Sequence, residues 1–205
     1  KSLTRLDNKD WVPPLMLAFK LHASGDEIDI PQVVTKLERV AYFLFVTRTD
    51  VNGRMHRYAD VMDQISPMGG HKSKSTGLEL NQSEAFEFFN ALNSPIYRLS
   101  RVVKPLLLRL DQSLTDGSAS YDYPVISVEH VCPQTISEGS QWDEWFKNRE
   151  DHDYWLHRLG NLVLLNRRKN SSASNWDLEK KKSKYFVDGD ATPFQLTQQV
   201  LNRNK

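Results

Sequence analysis

The tract Asp116-Gly117-Ser118-Ala119-Ser120 is the strongest break in the chain, and the hydrophobic period differs on its two sides. Before it, apolar residues recur at steps of three and four, the spacing that lines one face of a helix. After it they come in short unbroken runs, Val125-Ile126-Ser127-Val128 and Asn161-Leu162-Val163-Leu164-Leu165, of the kind that forms buried strands. Such a chain is expected to be α+β and predominantly α. It reads as a helical bundle, a scaffold or connector, over residues 1–117, then a β-containing module with flanking helices over residues 118–205.

The helical part is read from its punctuation. Pro13 and Pro14 suit a first helical turn, and the helix they open stops near Gly25. From Pro31 to about Arg48, Val33, Val34, Leu37, Val40, Ala41, Leu44 and Phe45 mark one buried stripe. Asn52 to Ile65 is a weaker amphipathic helix, 66–77 a loop, and another helix starts near Ser83 and ends before Pro95. Tyr97 to Leu114 is expected to be the longest, with Pro105 as a kink. Beyond the break, short helices are expected around Trp142, Trp145 and Trp155, then one from about Ser171 to Tyr185 and a last one from Pro193 to Leu201.

At 205 residues the chain can bury a core without staples, and its single cysteine, Cys132, excludes an internal disulfide and makes a zinc centre unexpected. No apolar run approaches the roughly 20 residues of a membrane span, and no secretory h-region follows the start. A reducing cytoplasm is the expected setting. The sequence begins without Met and reads as a piece of something longer. Its net charge of +1 argues against a nucleic-acid partner only on average. Between His157 and Tyr185 stand Arg158, Arg167, Arg168, Lys169, Lys180, Lys181, Lys182 and Lys184 against only Asp177 and Glu179. A solvated helix face explains a lysine run as readily as a phosphate contact does.

Three spaced elements point to chemistry. Glu129-His130-Val131-Cys132-Pro133-Gln134 joins a carboxylate and an imidazole at a strand end, Gly160-Asn161 turns into the second apolar run, and Asn170 stands at the expected start of a helix. Taken singly these are a surface pair, an ordinary turn and an ordinary helix cap. Their order and spacing resemble the HNH (ββα-metal) nucleases. The resemblance is closer still to the GmrSD-type restriction endonucleases, whose C-terminal domain reads Asp/Glu-His-x-x-Pro, a Trp-containing spacer, Gly-Asn-Leu-x-Leu-Leu, then Asn, Ser, Asn and Lys. Here those elements are Glu129 to Pro133, Trp142, Gly160 to Leu165, Asn170 to Ser172, Asn175 and Lys180 to Lys182.

The resemblance implies a metal-dependent DNA endonuclease module of a bacterial restriction or anti-phage defence protein. It also implies double-stranded DNA as partner and a nucleotide-hydrolysing or sensor domain N-terminal to this chain in the full-length protein. Homo-oligomerisation stays open. Within such a site His130 would take a proton from water, its ordinary pKa near ~6.5 suiting neutral pH. Glu129 and Asn170 would hold one Mg²⁺ or Mn²⁺ ion, directly or through water in the case of Glu129. Strand alternation turns Glu129 and His130 to opposite faces, so a bend or twist is required for the carboxylate to reach the metal. Asn161 would tie the loop and hold the His130 ring in its working tautomer. Arg167, Arg168, Lys169, Lys180, Lys181 and Lys182 would hold backbone phosphates without reading sequence. His157 and Asn175 are further candidates, and the Trp cluster is expected to be core. The rival reading is a catalytically inactive DNA-binding or protein-interaction scaffold that keeps the HNH fold.

Overall fold

The computed structural model describes residues 1–66, 76–115, 119–168, 175–187 and 192–203. The chain divides into two compact units, Lys1–Leu92 and Asn93–Lys205.

The first unit is helical: α1 (Val12–Ala23), α2 (Ile30–Val46), α3 (Val51–Ile65) and α4 (Gln82–Leu92). Pro13 and Pro14 sit in the first turn of α1, where the missing N–H groups leave no helical bond unmade, and Gly25 just past its end takes the left-handed φ of 94°. Asp29 caps α2 by accepting from the Gln32 N–H at 3.0 Å, and Asp50 caps α3 through the Gly53 N–H at 2.9 Å. From Val40 to Val46 every side chain of α2 is buried, so this helix is the spine of the unit and, at 17 residues, the longest element among the described residues. The expected longest helix, from Tyr97, is shorter: a 3₁₀ turn at Ile96–Arg98 precedes α5 (Ser100–Ser113), which carries Pro105 in its interior.

The second unit is built around a two-stranded antiparallel ribbon, β1 (Ser127–His130) and β2 (Leu162–Leu165), in the register Glu129 opposite Val163 and His130 opposite Leu162. β1 therefore starts two residues later than the apolar run Val125 to Val128 suggests and carries the Glu-His pair inside the strand. Between the strands lie α6 (Gln141–Trp145), α7 (Arg149–Leu156) and a 3₁₀ turn, Leu159–Asn161; α8 (Leu178–Lys184) and α9 (Gln195–Asn202) follow β2.

A lone hairpin is marginal in water, and this one is covered on both faces. On one side Val163 and Leu165 pack with Tyr185 and Phe186, which directly follow α8. Further cover comes from α5, which packs against both strands, and from α9, which packs against β2 and α5 and adds Val200 and Leu201 to the Val163 cluster. The Thr197 hydroxyl of α9 donates to the Leu164 carbonyl at 2.8 Å and accepts from its N–H at 3.2 Å. Because α5 is bound into this packing, the division between units falls at Leu92/Asn93, ahead of the composition break used to read residues 1–117 as one region.

Asp111 of α5 is 1 % exposed, accepts from the Leu196 N–H and the Tyr121 hydroxyl, both at 2.8 Å, and so pins the start of α9. Burial raises its pKa above the ordinary 3.8, against the lowering effect of those hydrogen bonds. The folded state thus favours the protonated carboxyl, and this contribution to stability is fully present below 3.8 and lost as pH rises through the higher folded value. Asp111→Asn keeps an acceptor for the α9 N–H without the buried charge. Its melting temperature is expected to gain on the wild type as pH is raised from below 3.8 to neutrality, checked by thermal melts of both proteins across that range.

Candidate active site

The site is a consequence of β1 alternation. Successive side chains of a strand leave on opposite faces, so Glu129 points toward the Tyr185 side and His130 away from it.

The Glu129 carboxylate is 4 % exposed; one oxygen accepts from the Tyr185 hydroxyl at 2.8 Å and the other from the His130 backbone N–H at 2.8 Å. Lys181 is wholly buried near it. Its ammonium donates to the carbonyl oxygens of His130 at 3.0 Å and Val131 at 2.8 Å. Burial brings the Lys181 pKa down to about 8, opposed by the negative charge of Glu129. The Lys181 side chain therefore holds the end of β1 from within, and its assignment to DNA phosphates is corrected: an ammonium with no exposed surface cannot meet a phosphate without unfolding its helix.

The His130 ring, on the other face, is 1 % exposed. Its Nε2 lies 3.2 Å from His157 Nδ1, and its Nδ1 lies 3.3 Å from the Gln134 side-chain nitrogen. The Tyr97 ring meets it edge-on with centroids 4.2 Å apart and stacks on His157 at 5.5 Å with planes 8° apart. The Tyr97 N–H also donates to the His157 carbonyl at 3.0 Å. His157 is held below the ordinary histidine pKa, first by burial and then by the positive charges of Arg98 and His152, with Asp153 pulling the other way.

Asn161 acts on backbone. Its side-chain oxygen accepts from the Cys132 N–H at 2.6 Å, and its amide nitrogen donates to the carbonyls of Cys132 at 3.2 Å and Leu156 at 2.8 Å. It ties the turn after β1 to the end of α7. The ring nitrogens of His130 meet Gln134 and His157, so the tautomer-holding task expected of Asn161 falls to other residues. Cys132 is buried and its thiol is pushed up to about 12 by desolvation, which leaves it unreactive.

The basic set is divided by the fold. Arg167 directs its guanidinium to the Tyr185 carbonyl at 2.9 Å and to the Val187 carbonyl, closing the ribbon rather than facing solvent. Lys182 donates to the Arg203 carbonyl at 2.6 Å. Arg168 and Lys180 are exposed, the latter with its ammonium 4.1 Å from the Trp176 ring centre. Asn175 is exposed as well. Lys169 and Asn170 lie outside the described residues. Of the Trp cluster, Trp142 is core, donating to the Trp176 carbonyl at 3.0 Å, whereas Trp145 and Trp155 are 43 % and 52 % exposed, contrary to the expectation of core packing.

Among the described residues no three or more His, Cys, Asp and Glu side chains gather as a metal cluster, and no helix is long and apolar enough to cross a membrane. Tyr97, Gln134 and Tyr185 were not legible as site residues. Gln134 alone left a signal, standing just after the strand that carries Glu129 and His130.

No curated protein and no solved structure matches the chain. A family model does: GmrSD restriction endonucleases, C-terminal domain, over residues 82–205. That stretch is more than half of the chain and contains Tyr97, Gln134, His157, Lys181 and Tyr185 as well as Glu129 and His130, and the chain belongs to the family of GmrSD restriction endonuclease C-terminal domains.

Proposed function

We propose that residues 93–205 form an HNH-type (ββα-metal) DNA endonuclease module of a bacterial restriction or anti-phage defence protein. In this reading His130 takes a proton from the attacking water, and Glu129 and Asn170 hold one Mg²⁺ or Mn²⁺ ion. The observation that carries the reading is the His130 imidazole itself. It sits at the end of a strand, 1 % exposed, braced on both nitrogens by side chains, in a member of a restriction endonuclease family. An imidazole so fixed loses no orientation when it accepts a proton, which is what a general base requires.

In the structure Glu129 does not fit that role as it stands: its carboxylate is 4 % exposed, takes one hydrogen bond on each oxygen beside the buried Lys181 ammonium, and points to the opposite face of β1 from His130, so sharing an ion with the His130 side requires β1 to twist. Asn170 would add a neutral oxygen, and two protein oxygens with waters are a common set for Mg²⁺. When bound, the ion supplies positive charge to the phosphate and the departing oxygen. Arg168, Lys169 and Lys180 would meet the flanking phosphates of double-stranded DNA, independent of sequence. A nucleotide-hydrolysing or sensor domain of the full-length protein would control the module in the bacterial cytoplasm.

Plasmid relaxation tests the proposal. Cutting is expected to stop when divalent ions are chelated and to return with Mg²⁺ or Mn²⁺ but not with Zn²⁺. Cutting that survives chelation would remove the metal from the mechanism. DNA retention without cutting in any of these ions would favour the scaffold reading.

A further inference from the structure

We propose that His157 is a positioning residue that fixes His130 as the Nε2–H tautomer and so leaves Nδ1 as the basic nitrogen. This inference rests on the reading of His130 as general base and names which of its two nitrogens does the work.

Two contacts carry it. A neutral imidazole has one N–H and one bare nitrogen, so its partners must present one acceptor and one donor. Gln134 presents its amide nitrogen, a donor only, to His130 Nδ1 at 3.3 Å, which requires a lone pair there. The proton then sits on Nε2 and is donated to His157 Nδ1 at 3.2 Å. His157 accepts only when neutral. Burial and the neighbouring Arg98 and His152 charges disfavour its protonation, with Asp153 opposing them. Its ring cannot turn freely, since Tyr97 stacks flat against it and fastens its carbonyl.

Exposure agrees with the assignment. His130 is buried, and of the two side chains on its nitrogens Gln134 is exposed whereas His157 is half-buried, so Gln134 is the one that water can displace. A water entering there replaces the Gln134 amide as partner of Nδ1. On proton transfer the water O–H bond breaks, its electron pair stays on oxygen, and the new N–H bond forms at Nδ1. The Nε2–H bond to His157 is kept throughout, so the imidazolium that results has its positive edge already met by an acceptor.

The test is nitrogen-15 NMR of histidine-labelled protein, with the His130 signals assigned by their loss in His130→Gln. Protonated and bare ring nitrogens resonate far apart, so the tautomer is read directly at mildly alkaline pH. Wild type is expected to show His130 protonated at Nε2. His157→Asn, whose side-chain oxygen stands near the position of the lost Nδ1, is expected to keep that tautomer; His157→Ala is expected to give a mixture. In plasmid cutting His157→Ala should lower kcat on the order of 10- to 100-fold with KM within about 2-fold, and His157→Asn should recover most of the loss. A His130 signal protonated at Nδ1 in the wild type, or an unchanged tautomer in His157→Ala, would overturn the proposal. Absence of cutting by wild type with the expected tautomer present would instead overturn the nuclease reading and leave the assignment of the proton standing.

Discussion

His130→Ala is expected to lower the rate of plasmid cutting by about 100- to 10,000-fold, the range that a positioned general base contributes, while DNA retention stays near the wild-type level. The split follows from where the side chain stands. With 1 % of its surface exposed, His130 offers nothing to a phosphate from outside, whereas Arg168 and Lys180 are exposed and remain in the variant. Removing a buried ring also leaves a cavity among Tyr97, His157 and Gln134, so the variant should be melted alongside the wild type and compared with His130→Gln, which fills more of the space. Cutting by folded His130→Ala or His130→Gln at the wild-type rate would end the proposal that this imidazole activates water.

The largest effect on stability is expected from Lys181→Ala, a loss of about 3 to 5 kcal/mol, the range for removing one member of a buried charge pair. The ammonium is wholly buried, bonds two carbonyls at the end of β1 and offsets the charge of Glu129. Its removal leaves both carbonyls and a desolvated carboxylate without that partner. Lys181→Met, which keeps the volume, should lose less, and Glu129→Gln combined with Lys181→Met should be more stable than the sum of the two single changes predicts. Denaturant titration of the four proteins gives the coupling. Wild-type stability with weakened DNA retention in Lys181→Ala would mean that the side chain faces solvent and phosphate after all.

Lys181 also marks where the sequence could have been read further. Within Lys180-Lys181-Lys182 composition gives three equivalent solvated cations, and counting charge cannot separate them. Helical phase does. Leu178, Lys181 and Tyr185 are spaced by three and four, so the middle lysine shares the face that carries Leu178 and, just past α8, Tyr185. The start of α2 was legible from Pro31 and the stripe that follows it, whereas its Asp29 cap emerges from the structure. Glu129, His130 and Asn161 could be picked out because their order and spacing along the chain resemble a family pattern, although each alone is an ordinary feature. Tyr97 could not, because what it does depends on which rings lie beside it in the fold, and no spacing along the chain encodes that; Gln134 was marked only by its nearness to His130. The start of β1 lies two residues later than the apolar run suggests because Val125 and Ile126 are apolar outside the pairing.

The cover of the ribbon by α5 bears on how the module can be isolated. A fragment begun at residue 118 would strip α5 from both strands and free Leu196 and Tyr121 of their shared carboxylate. Its hairpin would be left wet on one side, an adhesive edge more apt to precipitate than to cut. Excision upstream of Asn93 retains that helix, and with it the Tyr97 ring against which both imidazoles rest.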